Sequence, residues 1–364
     1  MGVKKSKRIF YFDALRALAI ISVILVHVFD GATSKFIFSN YGLMPTLDWF
    51  IADFFTNGSR IGVDLFLMLA GALSLGRDWT IKSFLSKRLP RIILPFLFWG
   101  FVLSGMLVLF SYFFGLGFIG SFDLMSILEY IYKAYMASTR GFWSYWFFWM
   151  ILGTYFIMPI FNKWVKNASL GELEYFLVIW LITCLFNFTL KIDFPIKLTY
   201  FVSPIGLVVL GYYLRYTKRK ILNNPYFDIL LIIVSWIVMV YVSYLFSDSS
   251  HIYRFNRYSF PIAIEVIGIF LLFKNFNKLN INIGFLSDSN GSFHILIEDI
   301  AKCSYGIYLT HSAFLQIIIE YFTIFYLPYG ISVSALSILT LFIPFALLLL
   351  MNNVPYLNEV IGVK

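Results

Sequence analysis

The sequence predicts an all-α integral membrane protein that crosses the bilayer about ten times. Hydrophobic residues make up 60% of the 364 positions, and charged residues make up only 13%. The apolar residues are gathered into segments near the roughly 20 residues that a helix needs to span the hydrocarbon core. This composition excludes a soluble globular enzyme, a disordered chain and a disulfide-rich secreted scaffold. The two cysteines lie in or beside apolar segments, and no metal site is expected.

The ten predicted spans form one membrane domain that covers residues 1–364, without an appended soluble domain. The first segment ends in His27 and Asp30 rather than in a small-residue cleavage site, which favours a membrane helix over a signal peptide. The loop after the third span contains a predicted interfacial helix from Asp123 to Met136. The aromatic run from Phe142 to Trp146 is predicted to anchor at the membrane interface. The predicted spans are 9–29, 61–76, 92–115, 143–161, 175–190, 199–215, 226–247, 258–274, 301–323 and 331–352.

The distribution of positive charge predicts the orientation of these spans. The chain has 28 lysine and arginine residues against 19 acidic ones, a formal net charge of +9. Most of the basic residues fall in the loops on the side of the N-terminus. Because cytoplasmic loops carry an excess of lysine and arginine, both termini are predicted to lie in the cytoplasm. Basic loops of this kind face anionic lipid, so no nucleic-acid partner is expected.

Ionisable residues in the first span suggest a functional interior face. Arg16 and His27 are 11 residues apart, which places them within about 20° on a helix and about 16 Å apart along it. Asp13 and Asp30 each lie three residues from one of them and are spaced to pair with it. Charged residues inside a membrane usually face the bundle interior. The alternative is that Arg16 extends toward the inner surface and His27 sits at the outer interface.

A second cluster of charge opens the third span. Arg88 and Arg91 share a helical face, and Lys87 lies beside them. One interpretation is an ordinary topology anchor. The other is an anion clamp, since guanidinium groups bind phosphate oxygens bidentately and a helix N-terminus adds amide donors.

Further polar residues in the apolar segments are candidates for supporting or acceptor-side roles. Arg60 and Asp64 have the spacing of an (i, i+4) ion pair in the second span. Tyr308 and His311 lie near Ser304 on one face of the ninth span. Glu265 is isolated in the eighth span. For all of these residues, hydrogen bonding within the helix bundle is an equally good interpretation.

These motifs, in this order, resemble the membrane acyltransferase 3 family. The first helix matches the family's Arg-x10-His pattern at Arg16 and His27, and Arg88-Leu89-Pro90-Arg91 matches its Arg-x-x-Arg pattern. The segments from Arg60 to Gly71 and from Ser304 to His311 are similar to its second-helix and late-helix signatures. The likeness runs from about residue 10 to residue 350. Two departures are Ala70 and Ala72, where the family commonly has Ser and Phe, and Ser144, where it often has His.

The resemblance implies an enzyme that moves an acyl group, by default acetyl, from acyl-CoA to a hydroxyl of a glycan or surface polysaccharide. It implies a multi-pass protein of a prokaryotic plasma membrane. We expect Arg88 and Arg91, with Lys87 and Arg16, to bind the phosphates of the donor. His27 is expected to act as general base on the acceptor hydroxyl, with Asp30 or another carboxylate orienting its ring.

Other functions remain open at this stage. The main alternative is a transporter or flippase for glycans or lipid-linked sugars, which also needs many spans and intramembrane charge. A structural membrane protein would leave the buried charges without a purpose. Within the enzyme class, an amino sugar, a lipid or an antibiotic is an alternative acceptor. The oligomeric state is not determined by the sequence, and a homo-oligomer is one of the alternatives.

Overall fold

A computed structural model describes residues 9–30, 46–192, 204–247, 252–279, 291–321 and 327–364, except for the side chains of Asp30 and Tyr321. Within these ranges the chain forms helices and connecting segments without a β-strand, which confirms the all-α fold class. The helices are α1 Phe10–Asp30, α2 Leu47–Gly58, α3 Ile61–Ser74, α4 Ile81–Phe114, α5 Leu124–Tyr135, α6 Trp146–Asn167, α7 Leu170–Thr183, α8 Pro204–Tyr216, α9 Pro225–Phe246, α10 Phe260–Asn275, α11 Ser292–Tyr321 and α12 Tyr329–Asn352. A 3₁₀ turn, Trp143–Tyr145, precedes α6, and a π-helix, Cys184–Leu190, follows α7.

Seven segments of the described chain are long and apolar enough to cross a membrane. They correspond to α1, α4, α6, α7 with its π-helix, α9, α10 with the turn that follows it, and α12. Helices α3 and α8 have only 14 and 13 described residues, and α11 has charged residues at both ends. The finding confirms a polytopic membrane protein, while the ten-span count and the side of the termini stay predictions.

Helix α4 begins well before the span predicted at 92–115. Thr80 caps it: its hydroxyl accepts from the Ser83 amide, and the Ser83 hydroxyl accepts from the Thr80 amide. This reciprocal capping starts the helix in a polar segment, and hydropathy does not predict a membrane helix there. Arg88 and Arg91 therefore lie inside the helix, where backbone amides are already bonded. The predicted contribution of free helix N-terminal amides to an anion site is wrong.

Helices α3 and α8 pack with their backbones in direct contact. A Cβ atom added at Gly71 would lie 1.8 Å from the carbonyl oxygen of Val208, and one at Gly211 would lie 2.0 Å from that of Met68. Small residues allow this close approach between helices in membranes. Two short helices are thereby joined into one unit near the centre of the bundle.

The apolar surface of the bundle lies mainly on its peripheral helices. Large hydrophobic side chains are exposed along α4, for example Phe101 and Phe113, and along α9, for example Ile237 and Tyr241. Most residues of α10 are instead buried against other helices. Exposed apolar helix faces match a lipid environment, and the polar groups discussed below are collected inside.

Candidate active site

A cavity of about 310 Å³ opens between α1, α3, α4, α6 and α11. Basic side chains gather in its lining, and none of the lining residues in the described chain is a carboxylate. The basic residues come from α1, α4, α11 and the segment after α12. The tertiary fold therefore brings together basic residues that are far apart in the sequence. The basic residues are Arg16, Arg88, Arg91, Lys302 and Lys364.

The positive charges of this cavity are only partly compensated. The guanidinium of Arg16 lies 3.7 Å from the Asp13 carboxylate, so the ion pair predicted for these residues is present. The ammonium of Lys302 lies 2.6 Å from Asp299. Arg88, Arg91 and Lys364 make no ion pair with any residue in the described chain. Neighbouring basic groups without a carboxylate partner create a positive potential that attracts anions.

The segment that follows α12 brings Lys364 to the cavity. The indole nitrogen of Trp99 donates to the carbonyl oxygen of Ile361 at 3.0 Å, and the Lys364 amide donates to the Lys302 carbonyl at 3.0 Å. The Lys364 ammonium then donates to the Arg91 carbonyl at 2.9 Å. Partial desolvation at the cavity mouth, together with the positive charges of Arg91, Arg88 and Arg16, lowers the pKa of Lys364 to about 7, although the residue keeps an exposed surface.

Lys87 does not belong to this group of cations. Its ammonium lies 5.3 Å from the centre of the Trp79 ring, and it is absent from the cavity lining. Lys87 is one residue from Arg88, and a rotation of about 100° per residue turns it to another helix face. The structure thus brings together three of the four residues predicted to bind the donor, namely Arg16, Arg88 and Arg91.

Beyond the cations, the cavity becomes apolar and then closes. Phe66, Ala70 and Ile151 line its middle. Phe147 and Tyr308 stand at its closed end, with their ring centres 5.2 Å apart. The Tyr308 hydroxyl donates to the Ser144 carbonyl at 2.7 Å, which fixes the ring. Ala70, one of the departures from the family signature, is therefore a wall residue of this cavity.

Two imidazoles lie beyond the closed end. The ring centres of His27 and His311 are 5.4 Å apart, with an angle of 21° between the ring planes. The Trp143 indole approaches His27 edge-on at 4.1 Å. The ring of Tyr308 lies 6.1 Å from that of His311, so a single helical turn of α11 separates the cavity from the imidazole pair. His27 itself is not part of the cavity lining.

The sequence predicted that the aromatic run from Phe142 to Trp146 anchors at the membrane interface. Burial of three of its residues contradicts this prediction. Phe142, Ser144 and Tyr145 are buried. The Ser144 hydroxyl donates to the Ser312 hydroxyl at 2.9 Å, and Ser312 donates to the Gly141 carbonyl at 2.7 Å. These bonds draw the 3₁₀ turn against α11, because the turn has polar groups that need partners inside the bundle. The turn therefore packs against α11, and its Trp143 contacts His27.

The predicted ion pair between Arg60 and Asp64 does not form. Asp64 is buried, and the cation that acts on it electrostatically is Arg257. Arg60 lies at the N-cap of α3, just outside the helix, and its charge acts on His27. Helical spacing brings two side chains within reach, but it does not decide which partner each one takes in the folded protein. Arg257, whose guanidinium carbon lies 3.8 Å from the Trp146 ring centre, therefore joins the imidazole end of the site.

The other predicted residues have different surroundings. Glu265 is buried in α10 and accepts a hydrogen bond from the Trp236 indole, a partner that its own segment did not supply. The side chain of Asp30 lies outside the described part of the chain. Its predicted contact with His27 therefore lies outside that part as well.

Sequence reasoning missed Trp143, Lys302 and Lys364 as residues of the site. Lys302 precedes Tyr305 by three positions, so helical spacing in the late signature already contained a signal for it. Trp143 looked like an interfacial aromatic, and Lys364 looked like a basic residue at the inner surface. No local pattern marks either of these two, because their positions depend on packing between distant segments.

The comparison with known families agrees with this arrangement. Residues 9–351 match the family model Acyl_transf_3, described as an acyltransferase domain. No match is found among curated proteins or among solved structures. The matched region contains both imidazoles and all of the cavity cations except Lys364. The chain therefore belongs to the acyltransferase 3 family and is a membrane acyltransferase.

Proposed function

We propose that the protein transfers an acyl group from acyl-CoA to a hydroxyl of a glycan. The observation that carries the donor assignment is the cavity with three uncompensated cations, Arg88, Arg91 and Lys364, at one end. Coenzyme A has a diphosphate and a 3′-phosphate, and such a cluster of anionic oxygens needs several cations close together. Guanidinium groups suit it because they bind phosphate oxygens bidentately.

The rest of the cavity suits the other end of the same molecule. The pantetheine arm is long, thin and uncharged, and the cavity has apolar walls at Phe66, Ala70 and Ile151 in addition to its cations. The thioester would then approach Phe147 and Tyr308 at the closed end, one helical turn from the imidazole pair. We propose that the acyl group reaches His27 when these two rings, which are in edge-to-face contact, move apart.

His27 is the proposed general base. It removes the proton from the acceptor hydroxyl as the oxygen attacks the thioester carbonyl carbon. The carbon–sulfur bond then breaks, and the thiolate of coenzyme A takes the proton back from the imidazolium. A neutral imidazole is the form that a general base requires.

The donor and acceptor are proposed to approach from opposite sides. Positive charge in the loops predicts that the cationic end faces the cytoplasm, where acyl-CoA is found. His27 lies at the other end of α1, about 16 Å away along the helix. An acceptor on the outer surface suits that position, and surface glycans present many hydroxyl groups. Acetyl is the proposed acyl group because it is usual in the family.

The decisive experiment measures donor binding and transfer with purified protein. Binding of coenzyme A in detergent distinguishes the enzyme from a flippase, which has no reason to bind it. Transfer is followed with radiolabelled acetyl-CoA and glycan isolated from cells that lack the gene. Mass spectrometry of surface glycans, with and without the gene, gives the acceptor and the acyl mass together. The absence of both coenzyme A binding and labelled glycan would refute the proposal.

A further inference from the structure

We infer that His311 is a positioning residue that accepts a hydrogen bond from the ring N–H of His27 during acyl transfer. This inference rests on the proposed function and concerns the same site. It adds a second imidazole to the chemistry, in the role that a buried carboxylate has in other acid–base pairs. Three properties of His311 support this role: the position of its ring proton, the burial of its side chain, and the neighbours of its unprotonated ring nitrogen.

The hydrogen bonding of His311 determines which of its nitrogens carries the proton. Nδ1 lies 2.7 Å from the carbonyl oxygen of Tyr308. A carbonyl oxygen only accepts hydrogen bonds, so Nδ1 must be the donor. In the neutral ring, Nε2 then has a lone pair and no proton. The backbone of α11 therefore fixes His311 as a hydrogen-bond acceptor at Nε2.

That acceptor is buried and has no partner within the described chain. His311 is 0% exposed, and its Nε2 makes no hydrogen bond there. Buried polar groups are nearly always hydrogen-bonded in folded proteins, and an exception requires an explanation. Thr310, the preceding residue, shows the ordinary case, since its hydroxyl donates to the Gly306 carbonyl at 2.9 Å. The orphan nitrogen of His311 indicates a bond that forms in another state of the protein.

His27 is the neighbour that can provide the missing proton. Its ring centre is 5.4 Å from that of His311, and the two planes are within 21° of parallel. The other ring neighbours are farther away, with Tyr308 at 6.1 Å and Trp143 at 6.3 Å. The Tyr308 hydroxyl already donates to Ser144. A small rotation of the part-buried His27 ring would direct an N–H toward Nε2 of His311.

Burial also decides between the two imidazoles as base. Substrate cannot reach Nε2 of His311, because that atom is enclosed, whereas His27 is partly accessible. His27 therefore takes the hydroxyl proton on one ring nitrogen, while its other nitrogen keeps a proton and donates it to His311. The proton moves from hydroxyl to His27 and then to the thiolate, and His311 gains none. Its contribution is to hold one tautomer and orientation of His27.

The test compares three substitutions of His311 with a neighbouring control. His311→Phe and His311→Leu remove the acceptor but retain apolar bulk. His311→Gln offers a side-chain oxygen near the position of Nε2. Thr310→Val, on the adjacent residue, is the control because its hydroxyl bonds only within α11. The probes are acetyl-CoA and glycan from cells that lack the gene, and coenzyme A binding checks that each variant is folded.

We expect kcat to fall by about 100-fold in the Phe and Leu variants, at the lower end of effects on a general base. The KM for acetyl-CoA and the dissociation constant of coenzyme A should stay near their wild-type values. The Gln variant should recover about tenfold of the lost kcat, and Thr310→Val should be close to wild type. A side chain that only filled space would give no recovery with Gln.

The inference fails if His311→Phe and His311→Leu keep wild-type kcat, or if His311→Gln transfers no faster than they do. It also fails if coenzyme A binding falls in parallel with kcat in all three variants while Thr310→Val is unaffected. Wild-type protein that transfers no acetyl group would overturn the proposed function, and this inference with it. Normal wild-type transfer with fully active variants would overturn the inference alone.

Discussion

The two ends of the candidate site are built on different physical principles. The cationic end collects charges from α1, α4, α11 and the chain after α12, and Arg91 and Lys364 are exposed at its mouth. The imidazole end is enclosed by aromatic rings and by the hydrogen bonds of the 3₁₀ turn before α6. Coulombic attraction acts over several ångströms and changes little when a charged group shifts its position. Hydrogen bonds in a closed site depend instead on a fixed distance and angle between donor and acceptor.

This difference separates binding from chemistry. Loss of one cation leaves neighbours that still attract an anion, so changes at that end should be graded. Loss of an imidazole removes a function that no neighbour supplies. If binding and chemistry are separate, changes at the cationic end should alter the affinity for coenzyme A, and changes at the imidazole end should alter kcat. The opposite pattern would contradict the separation.

The largest expected effect comes from the imidazole end. His27→Ala should reduce kcat by about 10²- to 10⁴-fold, the range for loss of a general base. The dissociation constant of coenzyme A should not change, because His27 lies outside the cavity lining. Transfer of radiolabelled acetyl groups and calorimetric binding measure the two quantities. Retained transfer would remove His27 from the chemistry and end the distinction between the two regions.

The next effect concerns the arginines of α4. Replacing Arg88 and Arg91 together by alanine should raise the dissociation constant of coenzyme A by about 100-fold, since hydrogen bonds to charged groups contribute about 1.5–3 kcal/mol each. Lys87→Ala is the control: it removes one positive charge from the same helix, but from a side chain that lies against Trp79, and it is compared with Arg88→Ala alone as well as with the double variant. Equal weakening by the control would mean that only net surface charge matters at this end.

A smaller effect is expected where the two regions meet. Phe147→Leu shortens a side chain at the closed end of the cavity, beside Tyr308. The ratio of kcat/KM for butyryl-CoA to that for acetyl-CoA should rise by about tenfold, because one or two methylenes in an apolar pocket change specificity on that scale. Competition assays with the two donors measure the ratio. An unchanged ratio would place the acyl group elsewhere.

The smallest effect depends on pH at the cavity mouth. With its pKa lowered to about 7, the Lys364 side chain is mainly charged at pH 6 and mainly neutral at pH 8.5. A bound phosphate stabilises the charged form, so the contribution of Lys364 to coenzyme A affinity should decline as pH rises through 7. Lys364→Gln should weaken binding several-fold at pH 6 and less at pH 8.5. Comparing both proteins at each pH cancels the titration of coenzyme A itself.

The sequence predicted the parts of the site that lie on one helix. The relation of Arg16 to His27, and of Arg88 to Arg91, follows from helical periodicity alone. The fold class likewise follows from hydropathy. The beginning of α4 was predicted 11 residues too late, because the polar residues from Lys82 to Arg91 resemble a loop while the capping by Thr80 favours a helix.

The contacts between helices could not be predicted in this way. His27 and His311 are 284 positions apart, and their distance depends on how α1 packs against α11. Arg257 replaces Arg60 as the cation acting on Asp64 because a connecting segment returns to α3. Lys364 reaches the cavity through its backbone bond to Lys302. Each of these relations depends on tertiary packing, which local spacing does not encode.

The close backbone packing of α3 and α8, at Gly71 against Val208 and at Gly211 against Met68, has a consequence for how the cavity can change its size. The cavity residues Phe66, Ala70 and Leu73 all stand on α3, and the backbone of α8 supports that helix from behind without an intervening side chain. Retreat of this wall would therefore require α3 and α8 to move together. If the proposed nucleotide donor needs more room than the cavity offers, we expect the opposite wall to move instead, where α4 and the chain after α12 meet through Trp99 and Ile361.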